Sequence, residues 1–120
     1  LVTTDADLWM ARESLSFRLP DSPTAVKEMI GMTEGDTVAI RDALRHGGPP
    51  AAARLVREEW VPHFVLMGSP EAVADEMRST MARCGIDEFQ LPSLPAAAGA
   101  EAAATSIRRT AEIFGAEVAC

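Results

Sequence analysis

Tyrosine is absent from the chain, and tryptophan with phenylalanine brings the aromatic share to only 5%. β-branched residues are sparse beside abundant alanine, so the composition favours helix over sheet. No apolar run approaches the roughly 20 residues of a membrane span, and no basic-then-apolar leader opens the sequence. A cytoplasmic protein without a membrane partner is the expectation. Positive charge is also short: 11 Lys and Arg stand against 18 Asp and Glu, for a net charge of -7. Such a field repels phosphate backbones and anionic lipid, which excludes nucleic acid as a partner and suits a solvated acidic surface. The two cysteines, Cys84 and Cys120, lie far apart and lack metal-ligand spacing, so free thiols are expected rather than a disulfide or a metal site.

What is present is enough for one ordinary domain: 120 residues, 48% of them hydrophobic, can bury a core. Leu1-Val2-Thr3 reads as the end of a strand, and Thr4 with Asp7 forms a capping-box pattern that opens a helix carrying Leu8, Ala11 and Leu15. That helix must stop before Pro20. Ser22-Pro23 restarts a helix with serine as cap and Val26, Met29 and Ile30 as its buried stripe. Thr33-Glu34-Gly35-Asp36 opens another, bearing Ile40, Ala43 and Leu44 and ending at Arg45-His46 before Gly47-Gly48-Pro49-Pro50. His46 there serves the helix dipole, and His63, beside Trp60 and Phe64, reads as a packed or partly exposed imidazole rather than a catalyst.

Ser69 caps and Pro70 begins a one-sided helix with Val73, Ala74, Met77 and Met81 inward, and Gly85 stops it. Asp87 to Leu91 then reads as a strand, and a last helix from about Glu101 to Phe114 turns Ala103, Ile107, Ala111 and Phe114 inward. A lone strand is not a stable element, because its backbone donors and acceptors need partners. The chain also begins at Leu1 rather than at a methionine. The order strand, helices, strand, helix therefore suggests the C-terminal portion of a larger β/α protein whose remaining strands lie upstream.

Gly68-Ser69-Pro70-Glu71-Ala72-Val73 followed by Gly85-Ile86-Asp87-Glu88-Phe89 resembles the C-terminal end of the luciferase-like monooxygenase superfamily. Val2-Thr3-Thr4-Asp5-Ala6-Asp7 looks like that family's strand ending before a helix, and Phe17 to Phe64 is similar to a helical insertion in its methylenetetrahydromethanopterin reductase-like members. Ala72 departs from the family's usual second glutamate, on a helix where no chemistry depends on it. The resemblance implies an α/β fold, the mostly helical C-terminal part of a (β/α)8 TIM barrel. Within residues 1–120, 17–64 would be the insertion and 68–114 the last helix-strand-helix unit. It implies FMN or the deazaflavin coenzyme F-420 as cofactor, a small-molecule substrate, a missing N-terminal barrel portion and a homo-oligomer.

Active sites of such barrels form at the C-terminal ends of the strands. Two candidates for cofactor binding follow, Ser93 after the last strand and Arg18 at the start of the insertion. A hydroxyl in a loop is more often a cap, and an arginine on a helix is more often solvated. Ser69 is explained by its helix. No residue stands out as catalytic, since the sequence offers neither a Gly-rich phosphate loop, nor a Ser/His/Asp set, nor a metal cluster. The expectation is a flavin- or deazaflavin-dependent oxidoreductase that is inactive as this segment alone. The alternative from composition is a small non-enzymatic helical interaction or dimerisation module.

Overall fold

The structure is a computed structural model that describes residues 1–88 and 99–115 of the chain. It separates into two compact units, one of Leu1–Met67 and one that begins at Gly68.

In the first unit, Thr4 precedes α1 (Asp5–Arg18) with extended backbone. Its hydroxyl accepts from the Asp7 N–H at 3.2 Å, and the Asp7 carboxylate accepts from the Thr4 N–H at 3.0 Å. The same reciprocal pair, Thr33 with Asp36, opens α3 (Glu34–Ala53) at 3.1 and 2.8 Å. The capping box expected at Thr4 and the cap signal expected at Thr33 are therefore both realised, the latter also as a full box, and each satisfies backbone N–H groups that a helix start leaves without partners. Between them, Leu19–Asp21 makes a 3-10 turn where Pro20 ends α1, and α2 (Thr24–Met29) is a short helix.

Ser22 does not cap α2 as expected. Pro23 occupies the cap position without a side-chain hydrogen bond, and the Ser22 hydroxyl donates backward to the Arg18 carbonyl at 3.0 Å. Gly48 divides α3 with φ 68° and ψ -170°, a conformation for which side-chain-bearing residues are poorly suited. The expected stop at Gly47-Gly48 is thus a kink. Pro49 and Pro50 begin a second helical piece, where a missing N–H costs nothing.

Leu15 and Leu19, Ile30 and Met32, Ile40, Ala52 and Val56, and Trp60 with Val61 form one buried cluster. Trp60 comes from a 3-10 turn, Glu58–His63, which holds it fully buried. Arg12 ties α1 to the end of α3, donating to the Ala53 carbonyl at 3.1 Å and the Arg54 carbonyl at 3.3 Å. Met29, expected inside, is 62% exposed, because α2 ends there and only Ile30 turns into the core.

The second unit holds α4 (Pro70–Cys84) and α5 (Gly99–Phe114). The Ser69 hydroxyl accepts from the Ala72 N–H at 3.2 Å, and Pro70 opens the helix. Gly85 closes it at φ 62°, and the Ile86 N–H returns to the Met81 carbonyl at 3.0 Å. Those bonds satisfy carbonyls that the last turn would otherwise strand. Val73 and Ala74 are buried and Met77 and Met81 half-buried, the stripe that the periodicity gives. In α5, by contrast, Ile107 is 50% exposed rather than inward, and no residue of the helix is buried.

The expected α/β architecture, the C-terminal part of a (β/α)8 barrel, is corrected by this structure. Among the described residues there is no strand and no sheet, only one isolated parallel bridge between Val2 and Met67. The Val2 N–H donates to the Leu66 carbonyl at 2.9 Å, and pairing goes no further. One residue on, the Thr3 N–H is taken by the Asp7 carboxylate at 3.0 Å; on the other side, the Val65 N–H returns to the Val61 carbonyl at 3.2 Å. Local caps and turns consume the groups that a ladder needs. Asp87 and Glu88 have no regular structure, and the rest of the expected strand, Phe89 to Leu91, lies outside the described residues. The described architecture is helical. Among the described residues, no helix is long and apolar enough to cross a membrane.

Candidate functional site

The 3-10 turn Leu19–Asp21 gathers charged side chains from three parts of the first unit. Lys27 on α2 donates through Nζ to the Pro20 carbonyl at 2.7 Å, and Arg41 on α3 donates through Nη2 to that same oxygen at 3.1 Å. Arg41 Nη2 also pairs with the Asp21 carboxylate at 2.8 Å. Sharing one acceptor keeps the two cationic nitrogens within about 6 Å of each other, a separation at which like charges repel, more so as water is excluded. The carbonyl and Asp21 offset that repulsion. Asp21 is 76% exposed, and among the described residues no carboxylate pairs with Lys27.

A second cluster joins the start of α3 to the Trp60 turn. Arg57 donates to Asp36 at 2.9 Å and lies over the Trp60 ring, 4.9 Å from its centroid. The Asp36 carboxyl is held below the usual aspartate range, first by the Thr33 N–H and then by the Thr33 hydroxyl. Arg57 adds to this, against the opposing effect of burial. The Trp60 Nε1 is buried without a hydrogen-bond partner. This cluster fastens two elements through a cap, an ion pair and a cation–π contact.

Arg18 is exposed at the end of α1, next in sequence to the Leu19–Asp21 turn. Ser93 lies outside the described residues. His46 Nδ1 is 2.8 Å from the Asp42 carbonyl one turn back, and His63 is exposed. Cys84 is an exposed free thiol. Glu71, in the first turn of α4, has its carboxyl held low by its own N–H and by the Ser69 hydroxyl. Among the described residues no group of three or more His, Cys, Asp or Glu is placed to hold a metal ion. Sequence spacing missed Lys27 and Arg41, since the acceptor that unites them is a backbone carbonyl 7 and 21 residues away.

No family model matches the chain, and no curated protein or solved structure does so.

Proposed function

We propose that the chain is a non-catalytic portion of a cytoplasmic flavin- or deazaflavin-dependent oxidoreductase of the luciferase-like type. The parent would act on a small molecule with FMN or coenzyme F-420 and assemble as a homo-oligomer. The observation supporting this is the pattern Gly68-Ser69-Pro70-Glu71-Ala72-Val73 with Gly85-Ile86-Asp87-Glu88-Phe89. Its described residues put serine at the cap, proline at the first turn and glycine at the left-handed stop of α4. The described residues do not fit a flavin ring by themselves. Such a ring needs an apolar slot with converging donors. The orphaned Trp60 Nε1 belongs to a side chain with no exposed surface, whose ring Arg57 covers. Arg18 is solvated on a helix end. No reaction step is therefore assigned to this chain.

Two measurements test the reading. The natural gene product, purified from its own cells, is expected to release FMN or F-420 on denaturation. The 120-residue chain alone is expected to show no saturable fluorescence change with either. A cofactor-free natural product overturns the oxidoreductase assignment, and a saturable change in ring fluorescence that excess inorganic phosphate does not compete away overturns the isolated chain's inactivity. A second reading, a non-enzymatic helical interaction or dimerisation module, is favoured by Met10, Phe17 and Met29, which are 55%, 54% and 62% exposed. It predicts a cofactor-free protein that self-associates in sedimentation.

A further inference from the structure

We infer that Lys27 and Arg41, drawn together on the Pro20 carbonyl, form a binding site for the phosphate group of a small molecule. The inference does not rest on the oxidoreductase reading. The distances carry it: both cationic side chains lie within 3.1 Å of one oxygen, on different helices, around a turn fixed by proline. Elsewhere the chain is acidic, with a net charge of -7, yet two positive charges here face one carboxylate, that of Asp21. An ammonium has three donors and a guanidinium five, so most of their N–H groups are not used by Pro20 and Asp21. A tetrahedral oxyanion accepts several such donors at once and relieves the repulsion between the two cations. The surrounding acidic field disfavours a long polyanion, which leaves a small phosphate-bearing molecule as the ligand class.

The probe is inorganic phosphate, added at constant ionic strength against chloride and followed by backbone amide chemical shifts. Saturable shifts centred on Asp21, Lys27 and Arg41 are expected. Lys27→Gln should weaken binding by about tenfold, the loss of one charge-assisted contact. Arg83→Gln, which lowers the net charge equally but removes no donor from the Pro20 carbonyl, should weaken binding less than Lys27→Gln does. Asp21→Asn, at an exposed position, should tighten binding by roughly threefold, because it removes the competing carboxylate. Lys27→Arg should retain binding. Shifts that do not saturate, equal effects of Lys27→Gln and Arg83→Gln, or an unchanged affinity in Asp21→Asn each overturn the site. If Lys27→Gln fails to fold, the Asp21→Asn result decides.

Discussion

Thr33 and Asp36 each do two things at the start of α3, and both can be measured. The Thr33 hydroxyl accepts from the Asp36 N–H and also donates to the Asp36 carboxylate at 2.7 Å. Thr33→Ala should therefore cost about 1 kcal/mol in urea unfolding, the usual loss for a helix cap. Asp36 adds a pH dependence. Its folded pKa lies below the unfolded one, so its contribution is complete above the ordinary aspartate value and fades as pH falls through the folded value. Asp36→Asn should lower stability at neutral pH and converge with the parent as pH falls below the folded value of Asp36. A constant gap between the two proteins across that range would refute the role given to the carboxylate. Both helix starts were legible in the sequence, because a cap is a relation between residues three apart. The Lys27–Arg41 pair was not, because its two donors meet only after α2 and α3 have packed beside the Pro20 turn.

Elements were legible where their signals are local and misread where they depend on partners. Ser69, Pro70 and Gly85 mark α4 from both ends, and the helix runs from Pro70 to Cys84 as those signals require. Strand propensity, in contrast, says nothing about whether a ladder partner exists. Val2 finds one bridge, but the Thr3 N–H goes to a cap, so propensity at Leu1 to Thr3 yields no strand. The kink in α3 offers a paired test of backbone against side chain. Gly48→Ala forces a side chain into φ 68° and ψ -170° and should destabilise by about 1–3 kcal/mol, although a Cβ there would meet nothing nearer than 3.9 Å. Gly35→Ala, in the first turn of the same helix with ordinary contact at 3.5 Å, should stabilise by up to about 1 kcal/mol. Equal effects of the two substitutions in thermal unfolding would mean that the kink carries no backbone constraint.

At the scale of the molecule, apolar periodicity identifies a face but not what covers it. The Val73, Ala74, Met77 and Met81 stripe and the Ile107 stripe read alike in sequence, yet Val73 is fully buried and Ile107 half-exposed. Burial follows from the other elements that the chain brings to a face, which a helical period does not encode. The consequence is an uneven distribution of stability. In the first unit, Ile40 of α3 and Trp60 are fully buried in a cluster fed by several elements. In α5 no residue is buried. Local opening of a helix exposes little apolar surface when little was covered, so its free energy of opening is small. Amide hydrogen exchange should therefore show the strongest protection around Ile40 to Leu44 and rapid exchange along Ala103 to Phe114. Trp60→Ala, which removes the largest side chain of the cluster, should cost about 3–5 kcal/mol and bring α3 protection down by that amount. The protection of α5, already limited by local opening, should hardly change until the α3 value approaches it. Protection in α5 equal to that in α3, falling in step with it in Trp60→Ala, would show instead that the two helices open as one cooperative unit.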